Sequence, residues 1–226
     1  MLRLLLVTSP VSYPRQRRFT EEGLLDAARE LFHEQGYQET QISDIAERAG
    51  TTRATLYARI GNKEEIYTRM LRRESDVLKS WLLAGYEKAA DLSLHGMVDA
   101  ALKPFFRFAE ERRPGFDLLF GTEPGLPGSE VGQQFLSEIM VPVSELIRSR
   151  IESVGGQAGP VGTAAVAVAT IGVTLHTGIY AINQNLDLDA TFDVGTAYIE
   201  SAFRSLDLDA LNRLDAVSLT SPRNAG

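Results

Sequence analysis

Arg53, Ala54 and Tyr57, with Thr52, Thr55 and Arg59 around them, are the residues of this 226-residue chain whose types and spacing suit a definite chemistry, the reading of a nucleic-acid duplex. An arginine can pair with guanine O6 and N7, an alanine can meet a thymine methyl, and Thr, Tyr and Arg can donate to phosphate oxygens. The elements that must present them are two short helices and a tight turn. Ile42, Ile45, Ala46 and Ala49 recur at helical spacing, and Gly50 follows where a left-handed C-cap closes a helix. Thr51 or Thr52 then caps a second helix, whose first turn is Arg53, Ala54 and Thr55. Leu56 and Ile60, four apart, supply the inward face and leave Arg53, Ala54, Tyr57 and Arg59 outward.

At this point the chain resembles the tetracycline-repressor-type (TetR) transcriptional regulators. The likeness covers residues 18–66 and is carried by FTEEGLLDAARELFHEQGY, QISDIAERAGTTRATLY and NKEEI, in that family's order and spacing. The resemblance implies that Thr52, Arg53, Ala54 and Tyr57 lie at the operator, Thr55 and Arg59 near phosphates, and Lys63 at a phosphate beside the next helix. Ile60 departs from the family pattern, which usually has an aromatic there, but it is still apolar and keeps the core role. Beyond about residue 85 only the helical layout is shared, so no effector can be carried over. A bare helix-turn-helix also serves as scaffold in enzymes and interaction modules. Here the preceding helix, both turns and Asn62-Lys63-Glu64-Glu65 accompany it, which favours a DNA partner.

The net charge of −7 argues against that partner only until it is divided along the chain. Residues 1–63 carry 9 Lys/Arg and 8 Asp/Glu, a balance of +1, so the remainder is −8 and is repelled by a phosphate backbone. Only the N-terminal end can face DNA. Arg15, Arg17 and Arg18 precede the first helix and form either a DNA-contacting arm or a solvated tail. With no cysteine there is neither a disulfide nor a thiolate metal site, which fits a reducing cytoplasm. MLRLLLV is too short an apolar run for a signal peptide. Residues 161–182 lack any charged side chain, but three glycines, four threonines and His176 dilute their apolarity, and a helix buried in protein is expected rather than a membrane span.

The expected fold is all-α: a three-helix helix-turn-helix DNA-binding domain followed by a larger helical domain for ligand binding and dimerisation. The expected bounds are a flexible basic extension over 1–17, the DNA-binding domain over 18–63, the helical body over 64–215 and a disordered tail over 216–226. Thr20 caps the first helix, Gly36 ends it, and Asn62 with Glu65 forms a capping box for a long fourth helix. Pro104 and Pro142 interrupt later helical runs, and GTEPGLPGSE at 121–130 and GGQAGPVG at 155–162 are loops. LDLDA occurs at 186–190 and again at 206–210, an echo too short to be a repeat architecture.

Aromatics concentrated mid-chain, beside a proline-interrupted helix and a loop, point to an apolar pocket. Its candidate lining is Trp81, Met97, Phe105, Phe108, Phe116, Phe120 and Met140, with His95, His176 and Tyr180 as polar handles. The last two expected helices, about 161–184 and 191–208, are candidates for self-association across a two-fold axis through Val166, Thr170, Val173, Val194, Tyr198, Ala202 and Phe203. No histidine has a partner at metal spacing, and neither a nucleophile elbow nor a P-loop appears, so no catalytic residue, metal or cofactor is expected. The expected function is a ligand-responsive regulator, a repressor that binds a palindromic operator as a homodimer and is released by a small apolar effector. The alternatives are a helical protein-interaction module without DNA binding and an all-α enzyme.

Overall fold

The computed structural model describes residues 20–89, 91–121 and 125–220, and over these the chain is helical with no strand. Three helices form the head: α1 (Glu21–Glu39), α2 (Ile42–Arg48) and α3 (Arg53–Arg59). The long α4 (Lys63–Ala89) leads out of it into a body built from α5 (Leu94–Glu111), α6 (Arg113–Phe120), α7 (Ser129–Ser153), α8 (Pro160–Asn183), α9 (Leu188–Arg204) and α10 (Leu208–Thr220).

The helix ends follow from their capping residues. The Thr20 hydroxyl accepts from Gly23 N at 3.1 Å, with Glu21 and Glu22 placed in the first turn where the helix dipole favours them. Asn62 and Glu65 satisfy each other reciprocally: Glu65 N donates to Asn62 Oδ1 at 2.9 Å and Asn62 N to Glu65 Oε2 at 2.7 Å. Neither internal proline ends its helix, since α5 runs through Pro104 and α7 through Pro142. Pro104 cannot donate to the carbonyl of Ala100, and at that place α4 comes close with a bare glycine. A Cβ on Gly85 would stand 2.5 Å from Ala100 O and 2.8 Å from Pro104 Cγ, so only glycine allows the two helices this approach.

One apolar cluster joins head and body. It passes from Leu24, Leu31 and Phe32 of α1, through Tyr67, Met70 and Leu78 of α4, to Phe108, Phe116 and Phe135 of α5, α6 and α7. Tyr67 stands edge-on to Phe32 at 4.8 Å, and burial of its phenol pushes its pKa up to about 12. The expected boundary at 63/64 is therefore crossed by shared core, and a displacement of α4 is felt on both sides of it.

Two sequence expectations need correction. The chain does not lose its order after Asp215: α10 begins at Leu208 and continues to Thr220, while residues 221–226 lie outside the described residues, as do residues 1–19 with the expected basic extension. The two LDLDA echoes explain the extra helix, because Asp187 and Asp207 each cap the helix that follows, accepting from Ala190 N and Ala210 N at 3.0 Å. The second correction concerns α8. It was expected to be buried in protein, yet only 22% of its most apolar window is buried within the chain, and by length and composition alone it is apolar enough to cross a membrane.

Candidate functional site

The geometry of the head starts at Gly50. Its φ of 66° is the left-handed conformation that glycine adopts without steric cost, and the bonds of a Schellman turn close around it, Thr51 N donating to Ala46 O at 2.8 Å and Gly50 N to Glu47 O at 3.0 Å. Thr52 then caps α3, its hydroxyl accepting from Thr55 N at 3.2 Å and pairing with the Thr55 hydroxyl at 3.0 Å. Leu56 and Ile60 are buried beneath, while Arg53, Ala54 and Arg59 are exposed and Tyr57 is 56% exposed. Among the described residues neither the Arg53 nor the Arg59 guanidinium has a carboxylate partner. Arg48 differs, because Glu34 holds it through two bonds of 2.8 and 2.9 Å that clip α2 to α1 and lower the Glu34 carboxyl pKa. Lys63 sits at the start of α4, its Nζ donating to Gln38 O at 3.0 Å and lying 4.5 Å above the Tyr37 ring, which leaves two of its three ammonium donors for another partner. Arg15, Arg17 and Arg18 lie outside the described residues.

In the body a cavity of about 60 Å³ lies between α4, α5, α7, α8 and α9. Of the candidate pocket residues, Met97 and Phe105 line it. The others do not, for identifiable reasons. Phe108 and Phe116 are consumed by the core, and Phe120 stacks in a chain between Phe116 and Phe135. Trp81 packs edge-on against Phe108 under the Arg107 guanidinium, and Met140 packs against a neighbouring apolar cluster. His95 is exposed and meets Glu200 at 3.0 Å, while His176 and Tyr180 sit on the outer face of α8. Sequence reasoning missed Tyr86, Leu102, Ile139 and Ile147, which enter at ordinary helical spacing and differ from core residues only in facing one another across a gap.

The candidate association residues fall on one side of the body. Val166, Thr170, Val173, Tyr198, Ala202 and Phe203 line a shallow groove between α8 and α9, and Val194 is 68% exposed beside it. Thr170 and Phe203 also reach the inner cavity, so this surface and the cavity are two sides of the same helices. The stripe continues through Val168, which is 55% exposed, and Tyr180.

Between head and body lies a charge cluster that the sequence reading did not single out. Glu74 of α4 is fully buried and accepts from Arg112 Nε and Nη2 at 2.9 and 2.8 Å, from Arg73 Nη2 at 2.9 Å and from Arg29 of α1 at 3.4 Å. Burial opposes its ionisation, yet the hydrogen bonds and charges of Arg112 and Arg73 outweigh burial and hold the carboxyl below the usual carboxylate range. The signal was present: Glu74 follows Met70 by four, inside the apolar stripe of α4. Among the described residues no group of three or more His, Asp or Glu side chains is placed to hold a metal ion.

A capped helix with an outward first turn, joined to a long helix whose far end borders an apolar cavity, is the layout of a helix-turn-helix DNA-binding regulator. Residues 24–70 match the family model described as bacterial regulatory proteins, tetR family. The HTH-type transcriptional activator FasR of Mycolicibacterium smegmatis is 26% identical over 182 residues, 78% of this chain and 77% of that protein. The transcriptional regulator FadR of Bacillus subtilis, solved with stearoyl-CoA, superposes with a TM-score of 0.67 at 18% identity, covering 80% of this chain and 98% of that one. SmeT of Stenotrophomonas maltophilia, solved with triclosan, does so with a TM-score of 0.62 at 20% identity, covering 79% and 90%. Over residues 24–70 the chain is thus similar to the bacterial regulatory proteins of the tetR family, and its fold over most of its length is that of the solved TetR-like regulators.

Proposed function

We propose that this chain is a homodimeric repressor that reads a near-palindromic operator through Thr52, Arg53, Ala54 and Tyr57, holds phosphates through Thr55, Arg59 and Lys63, and is released by a small, largely apolar effector. The observation that carries the reading is the first turn of α3, where exposed Arg53 has no carboxylate partner among the described residues although Arg48, nearby, is held by Glu34 through two bonds. A second copy covers α8 and α9, because a charge-free apolar helix left mostly uncovered by its own chain needs a partner surface, and its flanking stripe of Val168, Val194 and Tyr198 supplies one. Paired in this way, two heads enter successive major grooves about 34–36 Å apart. A regulator of this kind works in the cytoplasm beside the chromosome.

The cavity supports the effector half of the proposal. At about 60 Å³ it is far below the roughly 300–1,000 Å³ of a ligand pocket, so an effector enters only by parting the helices around it. Leu82 and Tyr86 of α4 line it, and α4 carries the heads. A ligand that fits only the parted arrangement shifts the population toward it and lowers operator affinity by the difference in its own affinity for the two states. The ligands named with the two solved relatives, stearoyl-CoA and triclosan, are both rich in apolar surface and serve as first probes here.

Selection of bound sequences from random duplexes with the purified full chain tests the reading. An enriched inverted repeat supports it, and no enrichment even at low salt refutes it. On the selected site, Arg53→Ala relaxes preference at one position in each half, whereas Lys63→Ala weakens all sequences alike and reduces the salt slope by about 1.

A further inference from the structure

The cavity lining holds no charged residue and three hydroxyls. Two are already committed to backbone, with Thr170 Oγ1 donating to Val166 O at 2.9 Å and Thr174 Oγ1 to Thr170 O at 2.8 Å. The third belongs to Tyr86, and among the described residues no protein group bonds to it. Its oxygen is not among the sealed-off polar atoms that lack a partner, so a ligand acceptor in the cavity can take up a donor that no described residue occupies. Burial also raises the pKa of Tyr86, so at neutral pH the group is a neutral donor.

Resting on the effector reading above, we propose that Tyr86 is the specificity-determining residue of this cavity and that the effector is an apolar chain or ring carrying one uncharged acceptor, such as an ester, thioester, amide or ketone carbonyl, within reach of the Tyr86 hydroxyl. An ionised carboxylate or phosphate finds no counter-charge in the lining, so any charged part of the ligand stays outside. Tyr86 lies on α4, one turn beyond Leu82 and beside Gly85, where α4 passes close against α5 at the Ala100 carbonyl. A bond formed at Tyr86 therefore acts on the helix that bears the heads, and the residue that recognises the acceptor is also one that the ligand displaces.

The test compares two probes with equal numbers of heavy atoms, methyl octanoate and undecane, as competitors of the fluorescent apolar probe N-phenyl-1-naphthylamine on the full-length protein. On the wild type the two affinities set a reference ester-to-alkane ratio, in which the greater apolar transfer of the alkane opposes the hydrogen bond of the ester. Tyr86→Phe, which removes only the hydroxyl, should lower that ratio about three- to tenfold, the contribution of one hydrogen bond, and leave alkane affinity unchanged. A ratio left unchanged by Tyr86→Phe overturns the assignment of Tyr86 while leaving the cavity as the effector site. Failure of the fluorescent probe and of both competitors to bind overturns the effector reading itself, and the Tyr86 proposal with it.

Discussion

Replacing Glu74 by glutamine removes the charge on which α1, α4 and the junction between α5 and α6 converge. The side chain has no exposure to water, and the three guanidiniums around it are only 15%, 19% and 25% exposed. Arg29 keeps Glu30 and Asp26, and Arg73 keeps Asp26, but Arg112 loses its carboxylate partner. Removing one partner of a buried pair costs about 3–5 kcal/mol, because the stranded charge stays poorly solvated. The surviving partners of Arg29 and Arg73 place the expected loss at the lower end, about 3 kcal/mol. With a urea slope near 3 kcal/mol/M, that is a fall in midpoint of roughly 1 M at fixed protomer concentration and pH 7. The pH dependence has a definite sign. Because the folded carboxyl is held below its unfolded value, its contribution is complete above the unfolded pKa of roughly 4.3 and disappears as pH falls through the folded one. The gap between wild type and Glu74→Gln should therefore be widest at neutral pH and close in acid. A midpoint change of less than roughly 0.2 M at pH 7, or a gap that widens on acidification, would refute the view that this cluster ties head to body.

Two further outcomes are expected. Gly50→Ala meets no neighbouring atom, so its cost is backbone strain alone, about 1–2 kcal/mol for an L-residue at φ 66°, read as a loss of a few degrees in Tm; a drop beyond roughly 10 °C would show that the turn holds more than its own dihedral. Val168→Asp places a charge on the exposed stripe of α8 and should give a folded monomer by light scattering that no longer retains a palindromic duplex, whereas an unchanged dimer would remove α8 from the association surface.

The head was legible because every one of its decisions is local. Gly50, Thr52, Asn62 and Glu65 act on backbone groups within five residues, and each formed the cap that its type and spacing specify. The cavity was not legible, since a side chain that lines a gap and one that fills a core carry the same apolar signature. Phe105 and Phe116 are neighbours at 5.4 Å, yet only Phe105 faces the space, a distinction made by the packing of α7 to α9 from far along the chain. Tyr180 shows the opposite error: its polar tip suggested an interior handle, but its register on α8 turns it outward. The helix α10 was readable and overlooked, because the second LDLDA repeats the cap of α9 one helix later.

That last helix also returns to the start of α8. Asp215 accepts from Val161 N at 2.8 Å and Gly162 N at 3.0 Å, two amides that the beginning of a helix leaves without intrahelical acceptors. The carboxy-terminal segment thus serves as a brace for the surface assigned to pairing. A chain cut before Leu208 loses that brace and frays α8 from its first turn, so shortening of this segment comes at the expense of the proposed pairing.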